Sequence, residues 1–303
     1  MRWRRLGLVP GADGTAPWAA HSALQPTPLL LSDVIRLFVG FRDGAGRSSV
    51  AFIDVDAEQP ARVRRVADVP ALAPGRPGGF DQDGVVPCAV VRCGTVLRLY
   101  YAGYERGRDV RFRVFGGVAE SDDDGETFTR VLETPVTPAT PGESLFRVIH
   151  SIRRHGDGWR AWYGGGDGFI AGGDSTRPVY DIRCMDSADG ITFPASGRVV
   201  VELGAGEYRV GRPFVVEGGP GLQMFFGAST DREDYRLAYA ESVDGDEWVR
   251  RDADLGFDRA PAGFDSQAMG YPAVLDVDGR RLMFYNGNDF GRDGVGVAVL
   301  EGP

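Results

Sequence analysis

The sequence predicts an all-β chain in which one unit of antiparallel strands is repeated five times. Three features support this: glycine and proline clusters separate short apolar runs, an aromatic strand recurs at a near-constant interval, and similar turns follow three of those strands. The 303 residues include 44 glycines and 19 prolines, which is the composition of many turns between short strands. Hydrophobic residues make up 43% of the chain, enough for a full core.

The aromatic strands set the repeat. Each is an apolar run that ends in an aromatic pair or its equivalent and is followed by a glycine or a small polar residue. The equivalent positions, at intervals of 62, 62, 63 and 59 residues, are Val39, Tyr101, Tyr163, Phe226 and Tyr285. About 60 residues is long for one hairpin and suits a blade of four antiparallel strands. Five such units span the chain, so we expect a single domain, residues 1–303, folded as a five-bladed β-propeller.

Turns rich in Ser, Asp and Gly follow the aromatic strands of the second, third and fourth units. They occupy Ser121–Phe128, Ser187–Phe193 and Ser242–Trp248 and look like Asp-box turns. Their Asp side chains can accept backbone hydrogen bonds and their Gly residues can adopt left-handed conformations, so each turn is expected to close an outer hairpin. Because they lack the 12-residue spacing of a calcium loop, we interpret them as structural.

A second apolar run precedes each aromatic strand and is predicted to be the innermost strand of its blade. These runs are His21–Leu31, Phe80–Val91, Phe146–Ile152, Tyr208–Val216 and Phe264–Leu275. In a propeller such strands surround a central channel, and residues at their entrance converge on one pocket. Polar residues recur there in all five units, where a core-facing strand would be apolar. The substrate-binding residues predicted from this pattern are His21, Gln25, Asp81, Arg147, His150, Arg209, Arg212 and Tyr271.

Three carboxylates from different units are the predicted catalytic residues: Asp83, Glu207 and Asp265. Glycoside hydrolysis ordinarily needs two carboxyl groups, one as acid and one as base or nucleophile. We therefore expect these acids to approach one another, together with His150 and Arg212, at one end of the channel. Structural roles are an alternative for each acid, since Asp265 follows Phe in a Gly-Phe-Asp sequence that can cap a loop and Glu207 can pair with a nearby arginine.

Charge and hydropathy exclude several classes of partner. The formal net charge is −9 at pH 7 and the basic residues are scattered, so no basic stripe is available for a nucleic acid or an anionic membrane. No apolar run is long enough to span a bilayer and the N-terminal segment lacks a signal-peptide core, so we expect cytoplasmic residence. Cys88, Cys93 and Cys184 have no metal-ligand spacing. They are interpreted as core residues, and no metal or other cofactor is predicted.

Several motifs carry a family resemblance that covers nearly the whole chain. They are Phe41-Arg42-Asp43 with Gly46-Arg47-Ser48, Gly79–Val85, Gly211-Arg212-Pro213, Tyr239–Gly245 and Phe284–Asn288. In these segments the chain resembles bacterial five-bladed propellers of the arabinanase/β-xylosidase, invertase and mannoside-phosphorylase glycosidase superfamilies. The resemblance implies a small-molecule partner, a sugar or sugar-like compound bound at the channel mouth.

The chain departs from this family pattern in its first unit. Hydrolases of the arabinanase and invertase types usually have an aspartate at the start of the first inner strand, whereas residues 18–22 here contain no carboxylate. The three-acid set of those enzymes therefore does not carry over. Phosphorylase-type relatives use one aspartate as proton donor and a basic cluster for phosphate, which the set of Arg147, His150, Arg209 and Arg212 resembles in residue type.

Three functions are compatible with these features. The first is a glycosidase-like enzyme that cleaves or transfers a glycosyl group, by hydrolysis, phosphorolysis or transglycosylation, with Asp83 and Glu207 as the leading acid/base candidates. The second is a non-hydrolytic enzyme of isomerase, cyclase or lyase type acting on a polar metabolite, which the missing first acid and the arginines favour. The third is a noncatalytic sugar-binding propeller.

Overall fold

The computed structural model describes residues 1–172, 175–219 and 221–302. Within these ranges the chain forms twenty strands, one four-residue helical turn and one 3-10 turn at Asp252–Asp254, so the prediction of an almost entirely β protein is confirmed. The elements are β1 (Trp3–Pro10), β2 (His21–Leu31), β3 (Val34–Arg42), β4 (Ser48–Asp56), β5 (Val63–Val66), β6 (Gly84–Cys93), β7 (Val96–Arg106), β8 (Phe112–Ser121), β9 (Thr129–Arg130), β10 (Phe146–His155), β11 (Gly158–Gly172), β12 (Ser175–Ser187), β13 (Arg198–Val201), β14 (Glu207–Gly218), β15 (Gly221–Thr230), β16 (Glu233–Ser242), β17 (Val249–Arg250), β18 (Gly270–Val277), β19 (Arg280–Asn286), α1 (Asn288–Gly291) and β20 (Gly294–Leu300).

The strands pair into antiparallel runs that repeat along the chain. The runs are β2-β3-β4-β5, β6-β7-β8-β9, β10-β11-β12-β13, β14-β15-β16-β17 and β18-β19-β20-β1. The five repeated positions of the aromatic strands lie on the second strand of each run. The N-terminal strand β1 completes the last run by pairing with β20, which joins the two ends of the chain.

The first strands of the five runs contact one another in a closed cycle. β2 contacts β6, β6 contacts β10, β10 contacts β14, β14 contacts β18, and β18 contacts β2. Asn286 holds the seam between the last and first runs, because its amide nitrogen donates to the Ala23 carbonyl at 2.8 Å and its oxygen accepts from the Gln25 N–H at 2.7 Å. Side chains that face inward from all five first strands therefore share one central space.

The apolar core lies between successive runs. Tyr100 and Tyr101 are adjacent residues of β7 and both are buried, because alternate side chains of a strand point to opposite faces and both faces of these strands are covered. Tyr100 packs with the third run, while Tyr101 packs with the first. Phe225 and Phe226 on β15 show the same division between two core clusters. The paired aromatic residues are thus the packing layers between neighbouring runs.

The Asp-containing turns connect the third and fourth strands and also bind the preceding run. In the first of them, Asp123 accepts hydrogen bonds from the Thr127 backbone N–H at 3.0 Å and its hydroxyl at 2.7 Å, while Gly125 has a left-handed φ of 87°. An arginine on the second strand of the preceding run donates to each turn. The three pairs are Arg36 with the Asp124 carbonyl at 3.1 Å, Arg98 with the Asp189 carbonyl at 2.8 Å, and Arg160 with the Asp246 carboxylate at 2.7 Å. No helix within the described residues has the length and apolar composition needed to span a membrane.

Candidate functional site

Each of the five first strands carries a β-bulge near its entrance end. The bulges fall at Gln25, Cys88, His150, Arg212 and Tyr271, where the pairing register with the second strand shifts. We call these five residues the bulge ring. Bulges re-aim side chains and are frequent next to active sites. Gln25, Arg212 and Tyr271 also have φ values of 54° to 57°, a left-handed conformation that is strained for residues other than glycine and concentrates at functional sites.

Arg212 joins four of the five first strands. From β14 it donates to the Cys88 carbonyl on β6 at 2.8 Å and the His150 carbonyl on β10 at 3.3 Å. It also donates to the Pro26 carbonyl and the Thr27 hydroxyl of β2, both at 3.1 Å. Burial lowers the pKa of Arg212 to about 10, so the group stays charged at neutral pH. Arg212 is therefore a buried cation that lies among the first strands and is held by neutral oxygen atoms.

The other buried members of the bulge ring are uncharged at neutral pH. Burial, together with the charge of Arg212, holds the pKa of His150 well below its usual range, and His150 Nδ1 has no hydrogen-bond partner among the described residues. Burial raises the pKa of Cys88 to about 12, so this residue is a thiol and not a nucleophilic thiolate. Its sulfur lies 3.8 Å from Gln25 Oε1.

Aromatic residues surround Arg209 and Tyr271 at the entrance of the ring. The Arg209 guanidinium carbon lies 4.0 Å from the centre of the Tyr235 ring, and the Tyr235 ring centre is 5.1 Å from that of Tyr271. The Tyr180 and Tyr235 hydroxyls are 2.8 Å apart. A small pocket of about 40 Å³ opens here, lined by Asp234, Tyr235, Ala268, Gly270, Tyr271, Gly287, Asp289 and Phe290.

Two of the predicted site residues, Asp81 and Asp265, lie in buried networks away from the ring. Each accepts a hydrogen bond from the tyrosine 20 residues later, Asp81 from Tyr101 at 3.2 Å and Asp265 from Tyr285 at 2.8 Å. An arginine from the edge strand of the same run completes each network. Arg130 of β9 lies 2.8 Å from Asp81 and Arg5 of β1 lies 2.7 Å from Asp265. We call these arrangements carboxylate–tyrosine–arginine networks.

Arg147 belongs to a third network of this kind, centred on Glu143. The carboxylate of Glu143 accepts from the Tyr163 hydroxyl at 2.7 Å and from Arg183 at 2.8 Å, and it pairs with Arg147 at 2.6 Å. The Arg147 guanidinium also donates to the Pro194 carbonyl. Arg147 therefore faces the packing between runs, and none of its hydrogen bonds among the described residues reaches the bulge ring.

Glu207 is likewise neutralised by arginine. Arg250 donates to both of its carboxylate oxygens at 2.6 and 2.7 Å, and Arg236 donates to one of them at 2.8 Å. Burial opposes ionisation, but the hydrogen bonds from Arg250 and the Gly204 N–H together with the nearby positive charges hold the pKa of Glu207 below its ordinary value. A carboxylate held in this ionised state is poorly suited to donate a proton.

Asp83 and His21 remain at the entrance, beside the first residues of β6 and β2. Asp83 is partly exposed and accepts one hydrogen bond, from the Arg106 backbone N–H to Oδ2 at 2.8 Å. His21 Nδ1 lies 2.8 Å from the Ser22 hydroxyl. Burial and the charges of Arg292 and Arg42 lower the pKa of His21.

The structure thus separates the predicted set. Gln25, His150, Arg212 and Tyr271 share the bulge ring, whereas Asp81, Arg147, Glu207 and Asp265 take partners elsewhere. The prediction that Cys88 is a core residue is confirmed, because it is fully buried in an apolar cluster. Sequence reasoning missed Tyr180, whose hydroxyl contacts that of Tyr235, and four residues that line the small pocket: Asp234, Tyr235, Asp289 and Phe290. A sequence signal for the bulges exists, because Pro26, Pro213 and Pro272 each follow a bulge-ring residue and proline cannot donate to the strand ladder.

A larger cavity, of about 460 Å³, lies outside the ring. Its lining comes from β16, the 3-10 turn and residues 253–259, with Met269. Met269 of this cavity donates its N–H to the carbonyl of Tyr235, which lines the small pocket, at 2.8 Å. The larger cavity contains no bulge-ring residue, so we place the candidate site at the smaller, channel-side pocket on chemical grounds.

Solved structures with the same architecture are glycoside hydrolases and a phosphorylase. A glycoside hydrolase has a TM-score of 0.76 at 17% identity, covering 99% of this chain and 92% of its own. A glycosyl hydrolase from Bacteroides ovatus has a TM-score of 0.73 at 13% identity, covering 99% and 93%. The β-1,2-mannobiose phosphorylase of Listeria innocua, in complex with β-1,2-mannobiose, has a TM-score of 0.75 at 11% identity, covering 99% and 97%. The chain therefore has a glycosidase-type fold, and at these identities the likeness concerns the fold alone.

Two curated relatives define its family. Uncharacterized protein Rv1502 of Mycobacterium tuberculosis H37Rv is 33% identical over 303 residues, covering 99% of this chain and all of the relative. Uncharacterized protein MT1551 of Mycobacterium tuberculosis CDC 1551 matches with the same identity and coverage. The chain belongs to the family of these two mycobacterial proteins. No protein-family model matches it.

Proposed function

We propose that the chain is a single-domain five-bladed β-propeller, residues 1–303, and a carbohydrate-active enzyme that cleaves or transfers a glycosyl group at the mouth of its central channel. The five antiparallel runs, the closed cycle of first-strand contacts and the join between β1 and β20 support the fold. The likeness to solved glycoside hydrolases and a mannobiose phosphorylase supports the activity class. A sugar or sugar-like small molecule is the proposed partner, and cytoplasmic residence stays a prediction.

The free state of Asp83 is the observation that carries this proposal. Arginines neutralise Glu207 and Asp265, whereas the Asp83 carboxylate accepts one backbone hydrogen bond through Oδ2 among the described residues. Oδ1 is left for a substrate. Asp83 precedes β6 at the channel entrance, where it acts as acid/base, moving a proton to or from the glycosidic oxygen.

We propose that the second carboxylate of this chemistry comes from the small pocket. Asp234 and Asp289 both line it and both are exposed. Asp289 has a left-handed φ of 50° and Phe290 one of 57°, so the backbone of α1 is strained where it borders the pocket. The ring faces of Tyr235 and Tyr271 provide an apolar wall of the kind that small-molecule sites contain.

Turnover measurements test the proposal. The wild-type protein is assayed against a panel of 4-nitrophenyl glycosides and against β-1,2-mannobiose, each with and without inorganic phosphate. We expect turnover of at least one substrate, with a rate at least about a hundredfold lower in Asp83→Asn. Asp109→Asn is the matched control, since Asp109 is exposed in the neighbouring β7–β8 loop and should keep the wild-type rate. A normal rate in Asp83→Asn would remove Asp83 from the mechanism.

The positive channel favours a second candidate, a non-hydrolytic enzyme or a noncatalytic module that binds a polar, anionic metabolite. Arg212 is buried there without a carboxylate partner among the described residues, beside a neutral His150. Ligand binding without turnover of any glycoside in the panel would support this alternative.

A further inference from the structure

Arg209 is the one buried arginine of the described residues whose terminal nitrogens have no partner. Three others pair with carboxylates: Arg36 with Asp54 at 2.8 Å, Arg147 with Glu143 at 2.6 Å, and Arg160 with Asp186 at 2.8 Å. The fourth, Arg212, donates hydrogen bonds from its Nη groups to three carbonyls and one hydroxyl. Arg209 is only 7% exposed, yet no described carboxylate lies within ion-pair distance. A buried charge without a partner is costly.

The local geometry holds the Arg209 guanidinium in one orientation. Its Nε donates to the Ser229 hydroxyl at 3.0 Å, and the guanidinium carbon lies over two rings, 4.0 Å from the centre of Tyr235 and 5.0 Å from that of Tyr208. Stacking covers the faces of a guanidinium and leaves its edge free to donate in the plane. Nη1 and Nη2 donate no hydrogen bond among the described residues, and they are not sealed from solvent. The free edge is therefore open to an external acceptor.

Three tyrosines, Tyr180, Tyr235 and Tyr271, lie near the Arg209 guanidinium. The Tyr180 and Tyr235 hydroxyls are 2.8 Å apart, and the Tyr271 ring lies against Tyr235 with 5.1 Å between centres. Burial raises the pKa values of Tyr180 and Tyr271 well above the ordinary range, so both remain protonated. Because the Tyr180 and Tyr235 hydroxyls share one hydrogen bond, that pair has one hydroxyl proton left to donate. The group combines a single positive charge with neutral hydroxyl donors.

We propose that Arg209, with Tyr180, Tyr235 and Tyr271, binds the carboxylate of an acidic sugar. This deepens the proposed function by naming its substrate class, a carboxylate-bearing glycoside of the uronate type, and it rests on the proposed function for placing the sugar ring at the channel mouth. The fork of a guanidinium matches a carboxylate in a bidentate pair. One free cation balances one negative charge, whereas a phosphate dianion would leave a negative charge uncompensated. Arg212 does not add to the site, because its Nη donors are already bound.

Equilibrium binding by calorimetry tests this inference without requiring turnover. The probes are the methyl glycosides of glucuronate, galacturonate and mannuronate, each compared with its methyl ester and with the neutral parent glycoside; inorganic phosphate is a separate arm. We expect at least one uronate to bind about tenfold or more tightly than its ester and its parent. Arg209→Gln should remove that preference. The control Arg108→Gln, an exposed arginine of the β7–β8 loop, should retain it.

The outcomes separate the inference from the proposed function. Equal binding of every uronate and its neutral partners by the wild type overturns the inference, even if Arg209→Gln does not fold. Phosphate binding that is tighter than that of any uronate and equally dependent on Arg209 also overturns it. Turnover of neutral glycosides with no preference for uronates refutes the inference alone. Uronate binding that depends on Arg209, with no glycoside turned over, supports the inference and refutes the enzymatic proposal.

Discussion

The channel mouth and the carboxylate–tyrosine–arginine networks use the same residue types in opposite ways. In the networks every charge is matched, as where Asp265 binds both Tyr285 and Arg5. At the mouth, Arg209 lies against Tyr235 with no carboxylate among the described residues. Arg209 is mostly buried, and only the Nη edge of its guanidinium reaches solvent. The comparison indicates that matched polar groups hold the runs together, whereas unmatched ones are available to a ligand.

The largest effect is expected from breaking a network. Glu143→Gln removes the negative charge that Arg147 and Arg183 share and leaves Arg147, which is 1% exposed, uncompensated. We expect the free energy of unfolding to fall by about 3–5 kcal/mol, measured by urea denaturation. The exposed Glu58 supplies the control Glu58→Gln, which should change stability by less than about 0.5 kcal/mol. Equal effects in the two variants would contradict a structural role for the network.

Arg212 provides the next test. It lies in the bulge ring, and both of its Nη groups donate to backbone carbonyls or a hydroxyl; its Nε has no partner among the described residues. Arg212→Met should leave the Cys88 and Pro26 carbonyls without their donors and cost about 2–3 kcal/mol in unfolding free energy. Urea denaturation of the variant measures this loss. Unchanged stability would mean that Arg212, like Arg209, is kept for a ligand and not for joining the first strands.

A pH-dependent effect is expected from His150. Burial and the Arg212 charge lower its pKa in the folded state, so below pH about 6.5 the unfolded chain binds a proton that the folded chain does not. The free energy of unfolding should therefore fall as pH drops below that value, by at most about 1.4 kcal/mol per pH unit. His150→Gln should flatten the profile of thermal midpoint between pH 7 and pH 5. His155→Gln, at an exposed histidine, should keep the wild-type slope, and an identical slope in both variants would show that His150 protonates freely.

The smallest effect is expected at an Asp-containing turn. Asp123→Asn weakens the hydrogen bonds to the backbone and hydroxyl of Thr127 and should cost about 1 kcal/mol. Hydrogen bonds from Ser121 and Thr127, acting against burial, lower the pKa of Asp123 to about 2, so its contribution should be lost as pH falls from about 4 to about 2. Thermal denaturation measures both. Asp122→Asn, at an exposed neighbour, should have no effect, and an equal loss there would point to local charge instead.

The repeat was predictable because its causes are local in sequence. Aromatic residues at a constant interval and Asp-Gly turns are each determined by neighbouring residues, so the almost entirely β structure follows from them. The pairing of β1 with β20 was not predictable, since nothing in the N-terminal residues marks a partner near the C-terminus.

The site was only partly predictable, because its properties depend on contacts between residues that are distant in sequence. Asp83 and Asp265 are both acids in the segment before a first strand, but the Arg5 that neutralises Asp265 is 260 positions away. Cys88 is a core residue, as predicted, but its place in the bulge ring depends on a pairing shift and on a hydrogen bond from Arg212 to its carbonyl. Whether a carboxylate pairs with an arginine depends on tertiary contacts, and the sequence alone shows only that both residue types are present.

The central claim is that matched carboxylates stabilise the fold whereas free ones serve the site. The most direct test compares Asp83→Asn with Asp265→Asn, measuring for each variant the turnover of the best wild-type substrate and the thermal midpoint. The account predicts that Asp83→Asn loses about a hundredfold in rate with an unchanged midpoint. Asp265→Asn should lose stability, because Arg5 and Tyr285 lose the charged partner they share, and should retain turnover below its new midpoint. A stable, inactive Asp265→Asn beside an active Asp83→Asn would contradict the account.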